Sequence, residues 1–255
     1  MFFEEVSAVM KSAKSKFEFL KNNPLGYFLA SILAGVFVGF GILLIYTIGG
    51  LLNGQPYAKI VMGASFGIAL SLVIIGGAEL LTGNSFVMSI GAMGKTVKWK
   101  EAVKLWIVCF LGNWVGGIIL AVVFSGTGLV KGNVGEFIAS SAAAKMGVDL
   151  GPLFLRAILC NILVCLATWN SYRCKSESGK LIMIFWCLFA FITIGLEHSV
   201  ANMSLLTLAL ISPFEAAVSL GGYFYNIFVV TLGNMLGGII CLAIPYFLIA
   251  KKKDN

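Results

Sequence analysis

One histidine stands among the 255 residues of this chain, His198, and it sits where an ionisable group is costly. It lies in Glu197–His198–Ser199–Val200–Ala201–Asn202–Met203, within an apolar run from Leu181 to Ile211. That run is too long, and too polar in its middle, for one plain membrane helix. A charged side chain at membrane depth costs at least ~2.5–3.5 kcal/mol on insertion scales, so such a residue is a functional hypothesis by default. Imidazole is also the side chain whose ordinary pKa, about 6.5, falls near physiological pH. Two chemistries are open to it: a fixed hydrogen-bond donor, or a proton lent to a passing weak-acid anion. The plain alternative is a buried neutral histidine bonded to a neighbour. Enzyme chemistry would need a nucleophile with a base, or a metal cluster, and His198 has no obvious second partner. The six cysteines form no C-x-x-C pair, and five lie in apolar runs as small fillers. We therefore expect no catalytic residue, no metal and no cofactor.

The elements that must position His198 are membrane spans. The chain is 59% hydrophobic and 11% charged, against about 25% charged in soluble domains. Six spans of roughly 20 apolar residues fit its length as one transmembrane domain over residues 1–255. Residues 1–23 have scattered charges and no apolar signal core. Phe3, Val6, Met10, Ala13, Phe17 and Leu20 recur at helical spacing, which predicts an amphipathic helix on the membrane surface or over a pore mouth. Lys16 falls on the flank of that stripe, placed to snorkel to lipid or to face an anion funnel.

Spans follow at Leu25–Leu52, Lys59–Met93, Leu105–Phe124, Pro152–Tyr172, Leu181–Ile211 and Tyr223–Ala250, with a polar stretch from Ser125 to Leu150. Span 2 is interrupted by the glycine-rich segment Gly76–Ser85, and span 5 by the histidine segment. Irregular backbone at that depth lines a cavity or is buried in protein. The basic residues give orientation: the two ends and the loops after spans 2 and 4 hold 14, the remaining loops 3. Both termini are thus expected in the cytoplasm, in a cell (plasma or inner) membrane. The net charge of +7 reads as topology, not as nucleic-acid binding.

The two interruptions match. Gly77-x-Glu79-x4-Asn84 is repeated as Gly195-x-Glu197-x4-Asn202, and Leu111–Gly112–Asn113-x-x-Gly116–Gly117 as Leu232–Gly233–Asn234-x-x-Gly237–Gly238. Two halves, 24–124 and 152–250, of three spans each must insert with opposite orientation. That is a 3+3 inverted repeat, whose pathway lies near the midplane. Glu79, Asn84, Glu197 and Asn202 read as structural at the breaks, the carboxylates taking backbone N–H groups freed there. The histidine is not duplicated; the first break has Leu80 in its place.

Four stretches carry a family resemblance: Asn22–Asn23–Pro24–Leu25–Gly26, Gly77–Ala78–Glu79–Leu80–Leu81–Thr82–Gly83, Leu159 through Trp169, and Glu197 through Met203. Over nearly its whole length the chain resembles the formate/nitrite transporter family, most closely its nitrite and hydrosulfide channels. The resemblance implies an all-α, aquaporin-like protomer, a homopentamer with one pore per protomer, and transport of nitrite, formate or hydrosulfide. Matched residue by residue, it implies that Thr82 and His198 lie at the pore centre. Leu80 and Phe191 match its constrictions, with Val164 on the same path. Asn161 matches an asparagine bonded to the histidine region, and Lys145 a lysine near the central site. Arg156 has a basic counterpart in nitrite channels, which favours nitrite.

A bare anion meeting those apolar constrictions faces a penalty of several kcal/mol. The Thr82 hydroxyl, the His198 N–H and half-helix N-termini could replace its water, while Lys16 and Lys145 concentrate anions. A neutral-solute channel of the aquaporin type is the alternative. Those channels carry Asn-Pro-Ala at both breaks, and neither break here contains proline.

Overall fold

The structure, a computed structural model, describes residues 1–250; Lys251–Lys253, counted above with the basic C-terminal end, lie outside the described residues. Every described element is a helix. Six are long and apolar enough to cross a membrane: Pro24–Leu51, Ala58–Ile75, Trp99–Gly126, Leu150–Arg173, Glu177–Ile194 and Leu220–Ala250. In chain order we label α1 (Phe3–Asn22), α2 (Pro24–Leu51), α3 (Ala58–Ser65), α4 (Gly67–Ile75), α5 (Leu81–Met93), α6 (Trp99–Gly126), α7 (Gly132–Met146), α8 (Leu150–Arg173), α9 (Glu177–Ile194), α10 (Ser199–Ile211) and α11 (Leu220–Leu236). A π-helical stretch, Gly237–Ala243, joins α11 to α12 (Ile244–Ala250).

Spans 2 and 5 are broken where expected. Gly77 and Gly195 adopt φ of 71° and 90°, left-handed geometry that ends a helix and strains any other residue. Leu80 and His198 are then extended and stand at the N-caps of α5 and α10. The freed backbone groups are caught by two buried asparagines. Asn113 Oδ1 accepts the Leu81 N–H at 2.9 Å, and its amide donates to Ser31 and Glu79 carbonyls at 2.8 and 2.9 Å. Asn234 Oδ1 accepts the Ser199 N–H at 2.9 Å and donates to Ala157 and Glu197 carbonyls at 2.7 and 2.9 Å. The repeated motif is therefore a repeated hydrogen-bond frame. A Cβ at Gly116 or Gly237 would collide with the carbonyl of Ile32 or Ile158, so glycine lets span 3 press on span 1 and span 6 on span 4.

Three expectations need correcting. The carboxylates of Glu79 and Glu197 do not take the freed N–H groups, because the asparagines reach them first. Asn84 and Asn202 instead bind Glu79 and Glu197, each donating at 2.7 Å. The polar stretch 125–150 contains a helix, α7, whose narrow buried face is Gly135, Ile138, Ala139, Ala142 and Met146. Small residues on that face hide it from a hydropathy reading. Helix α1 exists, but its buried residues are Val6, Val9, Ala13 and Leu20, while Phe3 is 53% exposed. The buried stripe is rotated, and Lys16 falls in line with it rather than on its flank.

Helix α1 caps one end of the bundle. Ala13 and Met10 press on Gly91 and Gly94 at the end of α5, Thr96 donates to the Met10 carbonyl at 3.2 Å, and Tyr172 donates to Ser12 at 2.9 Å. Arg173 pairs with Glu5 and covers the Phe2 ring. These contacts bring the N-terminal segment, the loop after α5 and the end of α8, all basic, to the same end.

The π stretch has a local cause. The paired carbonyls of Ala30 and Arg156, acceptors for Glu79 and Glu197 N–H, match α2 to α8. That spacing sets Asn161 where the first half has Gly35. Gly35 lies directly against the Asn113 carbonyl. Asn161 donates to the Asn234 carbonyl at 2.6 Å, so the facing helix must accommodate a side chain where the first half has none. It widens at the next turn.

Candidate functional site

The first turn of α5 and the N-cap of α10 meet at a single contact. His198, 4% exposed, accepts the Ala201 N–H on Nδ1 at 3.1 Å and approaches Thr82 Oγ1 through Nε2 at 2.9 Å. Because Nδ1 accepts, it carries no proton, and the network assigns the remaining ring proton to Nε2. Nε2–H therefore donates to Thr82 Oγ1, and the Thr82 hydroxyl proton is left to donate elsewhere. The imidazole stacks on Phe191, ring centres 6.0 Å apart.

Leu80, Val164, Phe191 and His198, with Val38, Phe66 and Leu188 among the other lining residues, enclose a void of only about 10 Å³. That volume holds no more than about one water, so the centre is an apolar plug pierced by the Thr82–His198 contact. Two vestibules approach it. One, of about 260 Å³, is lined by Lys16, Glu79, Leu80, Asn84 and Thr168 among others. The second, of about 460 Å³, is lined by Tyr46, Lys59, Lys145, Gly195 and Glu197 among others.

Each vestibule holds a lysine–carboxylate pair. Lys16 lies 2.6 Å from Glu79, and Lys145 lies 2.8 Å from Glu197. Glu79 also accepts from Tyr27 at 3.2 Å, and Asn202 ties Glu197 to Asn226 through a 2.8 Å bond. Burial pulls both ammonium groups down, and the adjacent carboxylates pull them up; the balance lies above the ordinary lysine value. Both lysines come from helices placed before the first span of their half, α1 and α7. Neither snorkels to lipid nor stands in a loop.

The expected residues thus gather in three places. Leu80, Val164, Phe191 and His198 line the plug, and Thr82 is held against His198. Lys16, Glu79 and Asn84 stand at one vestibule, and Lys145, Glu197 and Asn202 at the other. Asn161 is set behind Thr82: its amide lies 3.3 Å from the Thr82 carbonyl and 3.2 Å from Ser85 Oγ, so it reaches the histidine only through its partner. Sequence reasoning missed Cys165, which also donates to the Thr82 carbonyl at 3.2 Å, and Cys109, which donates to that of Glu79 at 3.2 Å. They are more than fillers, and only their position in the Asn161 stretch and one turn before Asn113 hinted at it. Arg156 is exposed on α8, and it meets the second break only through its carbonyl, which accepts the Glu197 N–H.

A family profile described as formate/nitrite transporter matches residues 4–248. The nitrite transporter NirC of Salmonella typhimurium (strain LT2) is 38% identical over 256 residues, covering 100% of this chain and 94% of that protein. The formate channel FocA of Haemophilus influenzae is 31% identical over 244 residues, 87% of this chain and 85% of that protein. Among solved structures, an FNT family ion channel superposes with a TM-score of 0.93 at 37% identity, covering 97% of this chain and 99% of that one. A pentameric formate channel with formate bound superposes at 0.81 with 28% identity, covering 91% and 99%.

Proposed function

This chain belongs to the formate/nitrite transporter family, and on that premise we propose that it conducts small monovalent anions of weak acids through the Thr82–His198 plug. Nitrite is the first cargo, with formate and hydrosulfide competing. The protein acts as a homopentameric channel in the cell membrane, both termini cytoplasmic, with residues 24–124 and 152–250 as its inverted halves. The gathering of basic segments at the α1 end supports that orientation.

The observation that carries the reading is the 2.9 Å contact inside a plug too small for a hydrated ion. An anion there must shed water and find donors in its place. The Thr82 hydroxyl and the positive ends of α5 and α10 supply them. His198 lines the void and fixes the Thr82 hydroxyl by donating Nε2–H to its oxygen.

The geometry favours a fixed donor over a lent proton. A neutral ring that gave up Nε2–H would be left as imidazolate. An imidazolium would set Nδ1–H against the Ala201 N–H, donor facing donor. His198→Phe removes both the cap and the donor, and it should abolish nitrite and formate flux in proteoliposomes. His198→Asn keeps an N-cap oxygen for Ala201 but cannot lend a proton near neutral pH. It should keep flux within about tenfold of wild type, the scale of one lost neutral hydrogen bond. Unchanged flux in the phenylalanine variant removes His198 from the pathway. Abolished flux in a folded asparagine variant restores the proton loan.

A further inference from the structure

The two vestibules differ in charge. Among the described residues, Lys16 is the only basic one lining the first, and Glu79 balances it. The second is lined by Lys59, Lys145 and Glu197, one cation more than anion. Lys145 is held by Glu197, so the excess rests on Lys59, which makes no ion pair among the described residues. Lys59 is exposed, yet it lines this cavity. Its Nζ sits over Gly195, the left-handed residue of the second break: a Cβ added there would lie 2.8 Å from Nζ. At the matching Gly77 nothing occupies that space. The repeat spacing that pairs Gly77 with Gly195 pairs Lys59 with Glu177, which is held by Lys180 at 3.0 Å. Among the described residues, the free ammonium therefore belongs to one mouth alone.

We propose that Lys59 is the capture residue of the Lys145 vestibule, binding the monovalent anion over the Gly195 turn before it meets the plug. This rests on the anion-channel reading above. The ammonium has three donors and no carboxylate among the described residues to claim them, and it lines the cavity on which its field acts. A capture site at one mouth raises occupancy for anions arriving from that side. It does little for passage through the plug itself, which Lys59 does not line. Because Lys59 is exposed, its pull fades with salt: the screening length is about 10 Å at 0.1 M and about 3 Å at 1 M.

The test is nitrite uptake by stopped flow into proteoliposomes sorted by orientation, in low and high salt. For entry through the Lys145 mouth at low salt, Lys59→Gln should raise KM about tenfold with little change in the maximal rate. The difference should shrink toward onefold near 1 M of an impermeant salt. Lys59→Arg should restore the wild-type KM, and entry through the Lys16 mouth should not change in any variant. A conducting wild type with the same KM in Lys59→Gln, or an equal change in both directions, overturns the proposal and leaves the channel intact. A wild type that conducts none of nitrite, formate or hydrosulfide overturns the anion-channel reading and this one with it.

Discussion

A backbone N–H decides what the central histidine can do. Ala201 donates to Nδ1 at 3.1 Å, and that single bond makes His198 an N-cap as well as a pore residue. On the proposed function, Thr82 is then the hydroxyl donor beside His198, which itself lines the central void. Thr82→Val keeps the shape, removes the donor to the anion and leaves Nε2–H buried without an acceptor. Flux should fall at least about tenfold, from one lost hydrogen bond to a charged group, and unfolding stability should drop by about 1–3 kcal/mol. Thr82→Ser should retain most of both. Uptake and thermal unfolding of the purified variants check this, and a valine variant with full flux would move the donor elsewhere. The sequence marked both residues, His198 by its solitude and Thr82 by resemblance. It could not show that they touch, since 116 positions separate them.

The helix breaks were legible because their chemistry is local and written twice. Glycine must supply the left-handed turn, and an asparagine on the following span must catch the exposed N–H. The Lys16–Glu79 and Lys145–Glu197 pairs were not legible: their partners lie 63 and 52 residues apart, and nothing near either lysine points to a carboxylate. Helix α7 was hidden for a different reason, since Ala139, Ala142 and Gly135 bury little apolar area. The π stretch was hidden because its cause, Asn161, sits on another helix. If Asn113 and Asn234 are the true fasteners, Asn113→Leu and Asn234→Leu should each strand one N–H and two carbonyls. At about 1–3 kcal/mol per unsatisfied buried group, either change should lower the unfolding temperature sharply and reduce the folded fraction in detergent. Asn84→Leu and Asn202→Leu strand only side-chain partners and should cost less. Equal losses across all four would mean the breaks are not held by this frame.

Across the whole molecule, the two paired lysines, Lys16 and Lys145, keep their charge over the physiological range. Both paired lysines titrate above the ordinary lysine value, so the contribution from each lysine's raised value is fully present below about 10.4 and is lost as pH rises through the higher folded value. Neither lysine changes charge between pH 5 and 8. His198 in its cap geometry keeps the neutral tautomer that Ala201 demands. On the proposed function, the pH dependence of transport is then expected to follow the cargo. Hydrosulfide is the conjugate base of a much weaker acid than nitrite or formate, so its flux should change with pH at distinctly higher values. Nitrite and formate profiles should lie together at the acid end. The order should survive Lys145→Met combined with Glu197→Gln, which removes both charges of one pair and leaves neither buried alone. Stopped-flow uptake of the three anions from pH 5 to 8, in wild type and in that double variant, reads this directly. A common midpoint for all three anions would instead assign the pH response to a titrating group of the protein, and His198 would be the first to substitute.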